Sequence, residues 1–143
     1  MSKILVLDDD QSNADVIQMV LEDQAFVVVS INHSDELQSA IKNFQPDLIV
    51  MDILLDKGDG RELCNAIKRN TETRSIPVLL ITAMLEAQAE KIPSMADGII
   101  FKPFDYVKLH RKVRRLIHWL RACLNLIRIY SYISLSKELR WRA

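Results

Sequence analysis

Asp8, Asp9 and Asp10 follow one short apolar run, and Asp52, Thr82 and Lys102 each close a later one. Carboxylates, a hydroxyl and an ammonium are the groups that phosphoryl chemistry uses. Carboxylates brought close repel one another, so one of them tends to hold a proton. A hard divalent cation relieves that repulsion, and Mg²⁺ is satisfied by one or two carboxylates, waters and a phosphate oxygen. An Asp carboxylate is also a nucleophile able to form an aspartyl phosphate. A lysine would then neutralise charge on the transferred group and a threonine hydroxyl would hydrogen-bond it. Each residue has a plainer reading too. Acidic residues cap helix starts, a lone Asp or Thr after a strand caps a turn, and a lysine before Pro103 sits in a solvated loop. Their joint occurrence in order at four strand ends favours a single site.

The elements that must position these residues are legible in the apolar pattern. Lys3–Leu7, Phe26–Ile31, Leu48–Met51, Ile76–Ile81 and Gly98–Phe101 are short, β-branched or apolar runs suited to buried strands. Between them, Val16, Ile17, Val20 and Leu21, then Leu37, Ala40, Ile41 and Phe44, then Leu63, Ala66 and Ile67 recur at helical spacing. A turn-rich stretch, Asp56-Lys57-Gly58-Asp59-Gly60, follows the third strand. Alternating strands and helices imply right-handed βαβ units, hence an α/β fold with a doubly wound five-stranded parallel sheet and helices on both faces. Such sheets bind ligands beyond the carboxyl ends of their strands, where the acidic residues, Thr82 and Lys102 would converge.

The 143 residues suffice for one domain with its own core, and 49% apolar with 27% charged residues is a globular balance. Cys64 and Cys123 stand singly, so no disulfide framework or zinc site is expected. Cys64 reads as a small buried hydrophobe, and His33 and His110 lack companions at ligand spacing. The N-terminus runs straight into a strand without signal-peptide architecture, and a cytoplasmic setting is the expectation. Net charge is zero but divided: residues 1–104 hold 9 Lys and Arg against 17 Asp and Glu, residues 105–143 hold 10 against 2.

From residue 3 to about 118 the chain resembles the receiver domains of two-component response regulators. The likeness rests on Ile4-Leu5-Val6-Leu7-Asp8-Asp9-Asp10, Pro46-Asp47-Leu48-Ile49-Val50-Met51-Asp52 with Asp59-Gly60, Pro77-Val78-Leu79-Leu80-Ile81-Thr82-Ala83, and Lys102-Pro103-Phe104. The resemblance implies a flavodoxin-like strand order of 2-1-3-4-5 and a phosphoacceptor at Asp52, phosphorylated by a histidine kinase or phosphotransfer protein. It implies Mg²⁺ bound by Asp9, Asp52 and the Leu54 backbone carbonyl, with Asp8 holding the metal through water. Thr82 matches the switch hydroxyl, Lys102 the phosphate-contacting lysine, and Ala83 the small residue that leaves room for the phosphoryl group. The chain would then be a signalling module rather than an enzyme; a hydrolase would need a further acid–base group that the sequence does not offer. The alternative is a pseudo-receiver that keeps the fold and signals by interaction without phosphate. Three departures bear on that choice. Ile99 replaces the usual aromatic three residues before the lysine, Asp56 replaces a common proline, and Pro93 interrupts the expected fourth helix within a slightly short interval.

The receiver is expected to occupy residues 1–118, followed by a basic, apolar helical extension over 119–143. Of residues 116–135, 14 are apolar, and Arg114, His118, Arg121, Asn125 and Arg128 form a narrow polar stripe. A helix that joins two copies into a homo-oligomer or meets a partner is the favoured account; an anionic membrane surface and a non-native tail remain alternatives. A membrane span is disfavoured by Arg121 and Arg128. Direct nucleic-acid binding is not expected, since about 25 residues cannot hold a helix-turn-helix domain with its own core. The downstream target is not readable from the chain.

Overall fold

The computed structural model describes residues 1–142, with side chains described through residue 134. β1 (Lys3–Leu7) leads into α1 (Gln11–Glu22), whose start is capped by the Asp10 side chain accepting from the Asn13 N–H at 3.1 Å. β2 (Val27–Ile31) and a single 3₁₀ turn (Ser34–Glu36) precede α2 (Leu37–Phe44), which ends at Gln45 with φ 53°. β3 (Leu48–Asp52) is buried at all five residues. A hairpin of β4 (Leu54–Leu55) and β5 (Gly58–Asp59) then delivers the chain to α3 (Gly60–Arg69). β6 (Val78–Thr82), a single turn α4 (Glu86–Ala89), β7 (Gly98–Phe101) and the long α5 (Tyr106–Arg142) complete the order.

The main sheet runs β2-β1-β3-β6-β7 with every pair parallel. Leaving out the hairpin, this is the expected order 2-1-3-4-5. Because successive strand residues face opposite sides, each strand feeds two cores. Ile4, Val6, Val50 and Ile81 pack with Ile17 and Leu21 of α1 and Leu109, Val113 and Ile117 of α5. Leu5, Leu7, Met51 and Leu80 pack with Leu37 and Ile41 of α2 and Cys64 and Ile67 of α3. Helices thus cover both faces, and Cys64 is a fully buried small hydrophobe as its sequence context suggests.

Three local features stand out against the regular alternation of strands and helices. The stretch after β3 is a paired hairpin rather than a simple loop; Gly58, at φ 123°, takes a backbone conformation that side-chain-bearing residues rarely adopt. The fourth helix shrinks to one turn, as Pro93 foreshadows, and no regular element intervenes before β7. α5 passes position 118 without a break, but among the residues whose side chains are described its buried ones end at Ile117.

Gly60 closes the hairpin by donating its N–H to the Ile53 carbonyl at 2.9 Å. A Cβ there would overlap the Asp52 carbonyl oxygen and lie 2.9 Å from Ile53 Cα, both unyielding backbone. Gly60→Ala is therefore expected to cost about 1–3 kcal/mol of stability, read as a lower urea midpoint with an unchanged slope.

Candidate functional site

The parallel sheet brings the carboxyl ends of β1, β3, β6 and β7 to one edge. Asp52 is the last residue of β3 and only 8% exposed; Asp8, one residue past β1, is 2% exposed. Lys102, one residue past β7, reaches across to both. Its Nζ lies 2.9 Å from Asp52 Oδ2 and 3.8 Å from Asp8 Oδ2. The second Asp52 oxygen, Oδ1, accepts the Leu54 N–H at 2.9 Å. Asp52 is thus held between an ammonium and a backbone amide.

The three consecutive acidic residues separate into different environments. Asp10 is the helix cap already described. Asp8 accepts the Asp10 N–H at 2.9 Å, and its own carbonyl accepts from Asn32 Nδ2 at 2.8 Å. Asp9 turns toward the hairpin, where its Oδ2 accepts the Asp56 N–H at 2.6 Å. A proline at position 56 has no N–H and could not make that bond. Thr82, fully buried at the end of β6, accepts the Met84 N–H at 3.0 Å, and its carbonyl accepts the Lys102 N–H at 2.7 Å. Its hydroxyl makes no bond to the carboxylates here, although β6 lies beside β3 with Asp52 in register with Ile81. The Lys102–Pro103 peptide bond is cis.

Burial pushes the Asp8 carboxyl up to about 6, with Asp52 and Asp9 adding to the rise; the Asp10 N–H and Lys102 oppose it. This carboxylate is short of positive charge. Among the described residues no three His, Cys, Asp or Glu side chains are grouped to enclose a metal ion. The groups that could serve a hard cation here are instead of mixed origin. Leu54 and Asp59 face each other in the hairpin, flanked by the 53–60 contact, so their N–H and C=O groups point away from its ladder. The Leu54 N–H points to Asp52, and its C=O shares that edge because both groups of an extended residue lie on one side. Two carboxylates, a carbonyl and water suit Mg²⁺, which seldom uses an all-protein cage.

Two contributors around the site were not singled out by residue type and spacing. Arg61, 4% exposed, pairs with Asp59 (Nη2 to Oδ2, 2.6 Å) and donates Nη1 to the carbonyls of Gln88 and Ala89 at 3.2 and 3.0 Å. It ties the hairpin below Asp52 to α4, and it holds the Asp59 carboxyl below the usual carboxylate range. An arginine two residues after an Asp carries no pattern that would foretell this. The other is Asn32, which steadies the Asp8 backbone. His110 behaves as a packing residue: its ring is tilted against Phe26 with centroids 6.3 Å apart, and burial holds its pKa down.

A parallel five-stranded sheet of this order, with acidic residues, Thr and Lys at its carboxyl edge, defines a receiver-type signalling domain. Residues 4–114 match the response regulator receiver domain family, and the chain belongs to it. The chain is 34% identical over 119 residues to the DNA-binding dual master transcriptional regulator RpaA of Synechocystis, covering 82% of this chain and 49% of that protein. It is 29% identical over 118 residues to the phosphate regulon transcriptional regulatory protein PhoB of Rhizobium meliloti, covering 80% and 52%. The chain thus spans about half the length of these curated relatives. Among solved structures, the signal receiver domain of a signal transduction histidine kinase from Syntrophus aciditrophicus superposes with a TM-score of 0.76 at 28% identity, covering 82% of this chain and 91% of that one. A two-component response regulator from Clostridium difficile gives 0.74 at 27% identity, covering 82% and 97%. The chain is therefore a signalling module of two-component systems. Among the described residues no helix is long and apolar enough to cross a membrane.

The raised Asp8 pKa has a defined sign. Between about pH 4 and 6 the folded state keeps a proton that the unfolded chain has released, so stability falls as pH rises through that window. Asp8→Asn should be more stable than the parent by about 1–2 kcal/mol at pH 7, with no gain near pH 4. Urea titrations at the two pH values check both arms.

Proposed function

We propose that this receiver accepts a phosphoryl group on Asp52 from a histidine kinase or phosphotransfer protein, with Mg²⁺ as the metal. The observation that carries this reading is the 2.9 Å contact between Lys102 Nζ and Asp52 Oδ2 at the mouth of a buried acidic edge. Asp9, Asp52 and the Leu54 carbonyl would hold the metal, and Asp8 would support it through water. When bound, Mg²⁺ would neutralise charge on the transferring phosphoryl oxygens.

The remaining work falls to the chain. Asp52 supplies the attacking carboxylate oxygen: an O–P bond forms as the P–N bond of a donor phosphohistidine breaks, and the imidazole departs with its electron pair and takes up a proton. The Leu54 N–H and Lys102 orient the carboxylate before attack, so little reorganisation is needed. Once the phosphate is present, Lys102 pairs with it in place of the bare carboxylate. Thr82 gives up its Met84 contact and donates its hydroxyl to a phosphate oxygen, the local change that biases a two-state equilibrium.

Output differs from the site in character. With Ile99 where an aromatic is usual and α4 cut to one turn, the change at Thr82 passes to α4 along the short segment that begins at Met84, while Arg61 ties the hairpin beside Asp52 to the same turn. In this reading the receiver comprises residues 1–118, and the extension over 119–143 continues α5 through its described residues. The DNA-binding roles named for RpaA and its like belong to those longer proteins; direct nucleic-acid contact is not part of the function proposed for this chain.

Acetyl phosphate with Mg²⁺ should give a hydroxylamine-labile adduct of one phosphoryl group on the parent and none on a folded Asp52→Asn variant. Absence of any adduct with either acetyl phosphate or a cognate kinase would favour the pseudo-receiver reading. Lys102→Ala should still bind Mg²⁺ but accept phosphate on the order of a hundredfold more slowly, since a charge-neutralising contact is worth a few kcal/mol.

A further inference from the structure

Past Ile117, α5 leaves the domain body and carries large apolar side chains into solvent. Trp119 is 66% exposed, Leu126 66% and Tyr130 79%; their spacing of seven and four puts them on one side of the helix. Leu124, Ile127 and Ile129, also exposed, widen that side, which Ser131 and Ser134 interrupt, and the charged and amide groups gather on the stripe of Arg121, Asn125 and Arg128. At the root of this segment lies a cleft of 470 Å³ lined by Arg114, Arg115, His118 and Arg121 together with Phe26 and Ser2. Arg121 is anchored there by a 2.8 Å bond from Nη2 to Ser2 Oγ. No Asp or Glu occurs between residues 106 and 137.

We propose that α5 beyond Ile117 is a docking surface for an anionic lipid bilayer. The Trp119–Leu126–Tyr130 side sinks among the upper acyl chains while the arginines, most of them on the flank and opposite side of the helix, stay at the level of the lipid phosphates. A helix that combines cations, no acids before Glu138, indole and phenol rings and a broad apolar side is built for the plane of a membrane interface. The cations add attraction of about 1 kcal/mol each near an anionic surface. A second copy fits less well. A helix pair buries one narrow seam, leaving much of this arc wet, and it would juxtapose like charges with no acidic partner to answer them. A transmembrane position fails because the described helix is not apolar enough to span and Arg121 and Arg128 would lie inside.

The test uses the whole chain and vesicles of phosphatidylcholine with or without phosphatidylglycerol. The expected result is cosedimentation with the anionic vesicles only, weakening with salt. In a Trp141→Phe background the Trp119 emission should shift to the blue on binding. Replacing Arg114, Arg115 and Arg128 by Gln should lower the affinity on the order of a hundredfold, at about 1 kcal/mol per charge. Leu126→Glu should abolish the blue shift; all four positions lie outside the core, and circular dichroism verifies retained helix. No binding to phosphatidylglycerol vesicles by the parent overturns the proposal. So does a concentration-dependent dimer whose Trp119 emission is already blue-shifted without vesicles, which assigns the surface to a second copy. Displacement from vesicles by inorganic phosphate at matched ionic strength would also overturn it, reducing the cleft to a phosphate site.

Discussion

Asp8 and Asp52 are drawn together at the carboxyl edge of one parallel sheet, and Asp9 stands beside them at the hairpin, with the single ammonium of Lys102 contacting the buried pair. Parallel pairing makes this crowding unavoidable: β1 and β3 end at the same edge because they run the same way in register, Leu7 opposite Met51. Burial then denies the carboxylates the water that would screen them, and Asp8 responds with a raised pKa. The domain keeps this arrangement because the two cores behind it are made of residues buried on both faces of the strands. An electrostatically costly edge is held by an apolar interior, and in the function proposed a hard cation and a phosphoryl group would relieve it.

The hairpin after β3 turns that edge into a structured cradle. Its first residue sends an N–H to Asp52, its turn sends the Asp56 N–H to Asp9, and its last residue caps α3 and pairs with Arg61. Gly60 makes the hairpin possible by allowing its backbone to lie against Asp52. Arg61 then extends the connection to the carbonyls of α4. A short helix with one exposed turn has little cohesion of its own, so a buried arginine gripping its carbonyls supplies much of what fixes it in place. The site and the region that follows Thr82 are in this way parts of one hydrogen-bonded unit.

The charge division along the chain has a structural counterpart. The acidic majority lies in the sheet domain and its loops, whereas α5 carries a basic excess, and among the described side chains only those of α5 up to Ile117 close the core. Beyond that point the helix continues on intrinsic propensity and repeated intrahelical bonds while most of its described apolar side chains stay exposed. Such a surface is costly in water, and its function lies in what it meets.

Much was legible from the sequence because it depends on local pattern. Runs such as Ile4–Leu7 and Val78–Ile81 announce strands buried on both faces, and the helical spacing of Leu37, Ile41 and Phe44 announces a helix between them. From this alternation the parallel sheet, its strand order by family likeness, and the edge where Asp8, Asp52, Thr82 and Lys102 meet could all be anticipated. The sequence by itself also determined the short fourth helix, since Pro93 cannot continue one. Only the tertiary structure decided how Asp8, Asp9 and Asp10 divide among burial, hairpin contact and helix cap, since that depends on the neighbours each side chain finds. The same holds for the grip of Arg61 on α4 and the path of the Asp56 N–H to Asp9. Both join residues 27 to 47 positions apart in sequence, and a contact made by chain crossing leaves no periodic trace.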